Sequence, residues 1–353
     1  MIHEEDPSAL VQMLARGILA FAYRDDPTRI VPYPAAMQAV LDQVVLWHLT
    51  SGTKVPPPVG VPELLHWARE TPIDKLPFAA DTYQFLASDP LIDRVSGMPT
   101  RTCIELASSG NPTGWEQQAR AILAELVASG LGGYQQHDFL ADRPVVSSRD
   151  TLSFQADPRL ALTWRTVRHY YQPPADLLVQ HKKLHVCPEC RLPARAGNDG
   201  AVTWCETERC DGLGRLADVH DASDAVVLVE SLRAFHVRPA RMARELRTVV
   251  PGTATATPAA SGRFVADLES GPRLVQVLDV FQPSLIEKEL TAMLEREGAI
   301  VVVPRRNTVH DRRYKYAVEA VLGSSATTVV MTDGEFQDGV RRGFDRIREA
   351  ADA

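Results

Sequence analysis

Cys187-Pro188-Glu189-Cys190, then fourteen residues, then Cys205-Glu206-Thr207-Glu208-Arg209-Cys210: four of the five cysteines of this chain fall within 24 residues. Zinc takes four thiolates tetrahedrally, and a CxxC turn places two of them on one metal with little strain. Between the pairs, Gly197-Asn198-Asp199-Gly200 reads as a hairpin turn, and Val202 and Trp204 alternate with polar residues on the returning strand. The pattern is a zinc ribbon with Cys187, Cys190, Cys205 and Cys210 as ligands of one structural zinc ion. A four-thiolate site is closed, so it folds the module and leaves no open position for catalysis. His185 sits two residues before the first ligand, but the four places are filled. Cys103, in Thr102-Cys103-Ile104-Glu105-Leu106, reads as a small apolar residue buried on a helix.

The chain changes character on either side of this ribbon. Before it, apolar residues recur at helical steps: Leu10, Met13, Leu14 and Ile18 follow an Asp-Pro-Ser start, and Ala35–Leu49, Pro62–Arg69 and Trp115–Val127 repeat the pattern. After it, Gly252–Gly262 is small and polar and reads as a loop. Arg263–Leu268 and Arg273–Phe281 then read as a hairpin around Ser270-Gly271-Pro272. A helix over Leu285–Glu297 stopped by Gly298, a strand over Ala299–Val303, a helix over Tyr314–Leu322 stopped by Gly323, a strand over Thr327–Met331 and a last helix over Phe336–Arg348 complete an α/β tail. The fold class is therefore α+β and multidomain. An α-helical region spans residues 1–165, the ribbon and its flanks 166–222, and an α/β domain 223–353.

Charge follows the same division. The 353 residues carry net −7, yet residues 225–353 hold 18 Lys plus Arg, 16 of them Arg, against 17 acids. The acidity belongs to the first two-thirds, which suits protein docking better than DNA binding. The whole chain lacks the basic excess of a general electrostatic nucleic-acid binder. No apolar run approaches the roughly 18–20 residues of a membrane span, and the acidic start is unlike a signal peptide. The expectation is a cytoplasmic protein with no membrane partner.

Two features of the tail bear on chemistry. Asp267 and Asp279 lie on the two strands of the hairpin, where paired carboxylates can share one Mg²⁺ or Mn²⁺ that activates water for phosphodiester hydrolysis. Lys288, nine residues beyond Asp279, is the lysine placed to assist, and Glu245 is a further carboxylate nearby in sequence. Arginines at 238, 241, 244 and 247 form a helical stripe. Arg305, Arg306, Arg312 and Arg313 follow the Ala299–Val303 strand, with Tyr314 and Tyr316 interleaved. Arg241, Arg244, Arg305, Arg306, Arg312 and Arg313 are thus candidate phosphate contacts, set against the plainer reading of a solvated helix face and a charged loop.

Taken in order, these pieces resemble a bacterial family, the restriction-endonuclease-like proteins associated with pPIWI-RE in three-gene islands. The resemblance is carried by Pro90-Leu91-Ile92-Asp93, Gly97-Met98-Pro99-Thr100, Cys103-Ile104-Glu105-Leu106-Ala107, Tyr171-Gln172-Pro173-Pro174, the ribbon, Ser231–Pro239, Asp267, Asp279-Val280-Phe281 and Val301–Pro304. Residues 1–89 add no motif to it. The resemblance implies a restriction-endonuclease-like α/β core, with Ser231–Pro239 as the strand leading into it. It also implies a role in defence against invading DNA, beside a PIWI-like protein and a DinG-type helicase. DNA or an RNA–DNA hybrid is the implied ligand, and a homodimer is compatible with it. The family places a lysine two residues after its second acid, where this chain has Phe281. Three readings stay open: a metal-dependent endonuclease, a non-catalytic docking and DNA-positioning subunit, and a zinc-ribbon transcription-associated regulator.

Overall fold

A computed structural model describes residues 7–24, 32–54, 56–78, 89–129, 133–250, 254–256, 261–268, 271–323 and 328–342. The fold is α+β. The chain divides into two units, one made of residues 1–114, 174–189 and 193–223, the other of 115–173, 190–192 and 224–353.

In the first unit, helices Pro7–Ala22, Ala35–Ser51 and Val61–Glu70 bury the stripes that their periodicity announces, and the helix Arg101–Ser108 is buried along its whole length. Leu10, Leu14 and Ile18 line the first helix's buried face, and Gly52 ends the second in the left-handed conformation (φ 67°). Cys103 is fully buried on the fourth helix, as its neighbours suggest. Thr100 caps that helix, accepting from the Cys103 N–H. The ribbon contributes a sheet in which Val179–Gln180, Lys183–Val186, Pro193–Ala196 and Val202–Cys205 pair in that order, with Asp218–Asp221 against Lys183–Val186.

The second unit holds a helical layer, a small sheet of Val145–Ser147, Ala225–Leu228 and Tyr171–Gln172, and a five-stranded mixed sheet. Its order runs Val329–Thr332, Ile300–Val303, Gly271–Val277, Arg263–Leu268, Ala254–Ala256. The first three strands are parallel to one another, and the hairpin and edge strand are antiparallel. Phe264, Ala266, Val275, Val277, Ile300 and Val302 meet Met242, Leu246 and Phe336 from the flanking helices to form its core.

Several local expectations change. Ser231–Pro239 is helical, within Glu230–Phe235 and Val237–Val249; in the second helix Pro239, Met242, Ala243 and Leu246 recur at three- and four-residue steps and are buried. Pro239 is tolerated because it lies in the first turn, where the backbone N–H has no helical acceptor. Ala254–Ala256, inside the small polar stretch, adds an edge strand. The second hairpin strand stops at Val277, so Asp279 lies beyond it. The last helix is described over Asp333–Arg342, and its expected continuation to Arg348 lies outside the described residues.

Between the helical layer and the mixed sheet's first helix sits a buried histidine, His236. Its Nε2 donates to the His137 carbonyl (3.1 Å) and its Nδ1 faces the Ser261 hydroxyl (3.1 Å). Burial, helped by neighbouring His137, pushes its pKa down to about 3. The folded protein therefore keeps His236 neutral while the unfolded chain takes up a proton near pH 6.5. Its contribution is intact above about pH 6.5 and is lost at about 1.4 kcal/mol per pH unit as pH falls towards 3. Urea melts at pH 7.5, 6.0 and 5.0 check this: His236→Phe should flatten the acid side of the profile relative to wild type.

Candidate functional site

The ribbon cysteines come together. The ligand atoms of Cys187, Cys190, Cys205 and Cys210 all lie within 4.8 Å of one another, and Cys187 Sγ is 3.7 Å from Cys210 Sγ. A tetrahedron with Zn–S bonds of about 2.3 Å has edges of about 3.8 Å, so the spacing suits one zinc ion. The turn at Gly197–Gly200 closes the hairpin as its sequence indicates, with the Gly200 N–H donating to the Gly197 carbonyl (3.0 Å) and Gly200 at φ 79°. Val202 and Trp204 face inward while Thr203 is exposed.

The knuckles carry their own strain. Arg191, directly after Cys190, and Glu208, two before Cys210, adopt left-handed φ values of 60° and 57°. Such positions cost about 1–2 kcal/mol in a non-glycine residue and persist where the surroundings dictate them. Gly212 answers a different demand. A Cβ there would stand 2.3 Å from Cys187 Sγ and 3.1 Å from the Glu189 Cβ. Its N–H also points at Cys210 Sγ (3.5 Å). Gly212→Ala should displace a ligand sulfur and weaken zinc by about 10–100-fold, the usual cost of disturbing groups behind the ligands. Competition against a chromophoric chelator measures it.

The carboxylates of the tail do not come together. Asp267 is paired in register with Pro272 beside the hairpin turn, and it is exposed. Asp279 lies seven residues further along the returning chain than Pro272. At strand rise that separation is about 20 Å, far beyond the reach of one shared ion. Adjacent strands gave the right neighbours, but the register puts the two acids at opposite ends. Lys288 opens the helix Lys288–Glu297, and its side chain lies outside the described residues. Glu245 is exposed on the Val237–Val249 helix.

Asp279 has a different set of partners. Its side chain is 0% exposed, Arg238 Nη2 donates to its Oδ1 (2.8 Å), and Arg238 Nε lies 2.7 Å from its Oδ2. Arg306 Nη2 donates to the same Oδ2 at 2.7 Å. Two guanidinium groups thus take up the carboxylate lone pairs that a cation would use. Phe281 is buried below them, with the Arg238 guanidinium carbon 5.3 Å from its ring centre. Asn307 Nδ2 (3.2 Å) and the Tyr314 hydroxyl both donate to the Val280 carbonyl between them. Asp279-Val280-Phe281 is a packed corner.

The arginine stripe is spent inside the second unit as well. Arg241 Nε donates to the Ala141 carbonyl (2.7 Å), and its Nη atoms donate to the carbonyls of Cys190 and Asp142. Arg244 pairs with the Asp142 carboxylate, and Arg247 with Asp138 at 3.2 Å. The stripe therefore packs towards the Gly133–Asp142 helix, with Arg241 donating to main-chain carbonyls and Arg244, 35% exposed at its side chain, paired with Asp142. Of the second cluster, Arg306 is held by Asp279 and Arg313 pairs with Asp311 at 2.9 Å. Arg305, Arg312 and Arg313 remain exposed, with Tyr316 exposed beside them.

The comparison with known families adds one finding. Residues 10–148 match the family model of the pPIWI_RE three-gene island domain Y. The match covers most of the helical front, including residues 10–89, which carry no motif of the resemblance, and the Pro90–Ala107 segments, which do. The ribbon and the α/β tail lie outside the match. No curated protein and no solved structure matches the chain. Among the described residues, no helix is long and apolar enough to cross a membrane.

Proposed function

We propose that the chain is a non-catalytic subunit of a three-gene-island defence system, which assembles with its partner proteins and helps to position nucleic acid. The observation that carries this reading is the double arginine clamp on Asp279. A hydrolytic metal site needs at least one carboxylate with lone pairs facing an open cavity. Asp279 presents none to solvent, and Asp267 is too distant to complete a pair. The α/β tail is then a restriction-endonuclease-like core whose acid serves the fold. Zinc in the ribbon is structural, and no Mg²⁺ or Mn²⁺ step is required. The domain Y match supports the three-gene-island context. A PIWI-like protein and a DinG-type helicase are the partners proposed from the resemblance, with DNA or an RNA–DNA hybrid held elsewhere in that assembly or on the exposed Arg305–Arg313 face.

A cleavage assay tests this on plasmid, linear duplex, single-stranded DNA and RNA–DNA hybrid with Mg²⁺ or Mn²⁺. The expected result is no cleavage by the folded, zinc-loaded wild type, and none after Phe281→Lys, because the acid beside it stays clamped. Metal-dependent cutting that disappears in a folded Asp279→Asn protein would overturn the reading. In the same samples, Arg305→Ala/Arg312→Ala should weaken any salt-sensitive DNA binding and lower its salt slope by about two.

A further inference from the structure

The first unit contains a cavity of about 590 Å³ to which the tail chemistry has no relation. Its wall is apolar, built from Phe21 on the first helix, Leu65 on the third, and Met98 and Pro99 before the fourth. Arg24, Arg69 and Arg195 line it together with exposed Asp176; Arg24 lies over the Phe21 ring at 4.1 Å from its centre, and Arg69 Nε is 3.9 Å from a Glu70 carboxylate oxygen and donates to the Arg94 carbonyl (3.1 Å). Arg195 matters most. It projects from the ribbon strand Pro193–Ala196, half-buried, and its Nη1 donates to the Leu177 carbonyl (2.8 Å) and lies 3.5 Å from Met98 Sδ. No carboxylate lies within 4.0 Å of it among the described residues, and burial lowers its pKa. A half-buried cation answered only by a carbonyl and a thioether keeps most of its desolvation cost until an anion arrives.

We infer that this cavity binds a nucleoside monophosphate, with the phosphate on Arg195 and the flat base against the apolar wall of Leu65, Met98 and Pro99. The volume falls within the range of small-molecule sites, about 300–1,000 Å³, which are mostly apolar with a few placed polar groups. Guanidinium forks suit phosphate oxygens, and Arg195 offers one that is answered by a carbonyl and a thioether alone. Asp176 is an acceptor available to a sugar hydroxyl or a base amino group. Because the lining comes from the helical front and from the ribbon strand, bound nucleotide would tie these parts of the unit together.

Isothermal titration of the full zinc-loaded chain with AMP, GMP, CMP and UMP tests the site, with adenosine and inorganic phosphate as separated halves. At least one nucleotide should bind saturably, and adenosine and phosphate should each bind at least about tenfold more weakly. Arg195→Gln keeps a donor for the Leu177 carbonyl and should weaken the nucleotide by about tenfold or more while leaving adenosine unchanged. Leu65→Trp fills the cavity from the other side and should abolish binding in a protein that melts normally. The inference fails if no nucleotide binds below about 1 mM, if adenosine matches AMP, or if both variants bind like the wild type.

Discussion

Cys187→Ser should abolish zinc binding by the four-cysteine cluster and, with it, the cooperative folding of the ribbon and of the helix that rests on it. Structural zinc in a four-thiolate site supplies on the order of 10 kcal/mol of metal-coupled folding free energy at neutral pH. That exceeds the whole stability of many domains, about 5–15 kcal/mol, so the loss cannot stay local. The route from metal to helix is visible in the second knuckle. Glu208, held in its left-handed conformation between the last two ligands, accepts a hydrogen bond from the Arg101 N–H at the start of the Arg101–Ser108 helix. Arg209, next to it, pairs with Asp89 at 3.2 Å. Arg101 is itself buried, its Nε donating to Glu105 at 2.9 Å. If the knuckle opens, a buried N–H and a buried ion pair lose their surroundings together. The expected readouts are zinc falling from one ion per chain to none, and a lowered and broadened thermal transition. Chelation of the wild type should reproduce both. A Cys187→Ser protein with unchanged zinc and melting temperature would refute the structural-zinc assignment.

Asp279→Ala should cost about 3–5 kcal/mol, because it strands the Arg238 guanidinium in the interior without its counter-ion. Arg238 is 4% exposed at its side chain and Arg306 33%, so most of the penalty comes from the first. The companion experiment distinguishes a packed ion pair from a hidden catalytic acid. Arg238→Met/Asp279→Leu removes both charges and keeps the volume, and such exchanges of buried pairs are often neutral or stabilising. The double variant should therefore recover most of the stability that Asp279→Ala loses, as measured by urea denaturation. A catalytic acid kept at a stability cost would behave oppositely: its removal alone would stabilise the fold. Arg306→Ala should fall between the two, costing less because the group is partly solvated and Arg238 still satisfies the carboxylate.

These two corners also separate what a sequence states from what it leaves open. The ligand set of the ribbon was legible because metal chemistry constrains residue type and spacing within one short segment. The helices Tyr314–Leu322 and Trp115–Ala128 were legible for a related reason: apolar periodicity and glycine stops are local signals. The hairpin was legible as well, through its turn residues and alternation. The roles of the charged residues were not. The partners of Arg238, Arg244 and Arg247 are Asp279, Asp142 and Asp138, about 40 to 110 positions away in the chain. A periodic row of arginines looks the same whether it faces phosphate, water or a second helix. Likewise, two acids on neighbouring strands are adjacent or far apart according to register, which is fixed by pairing and burial across the sheet. By itself, then, the sequence determined the four-cysteine site, the helical front and the α/β tail, because each is written in contacts between near neighbours in the chain. Only the tertiary structure decided that the tail's buried acid is clamped and that the arginine stripe packs towards a second helix, because charge is neutralised by whatever the fold brings within about 3 Å, however distant in sequence.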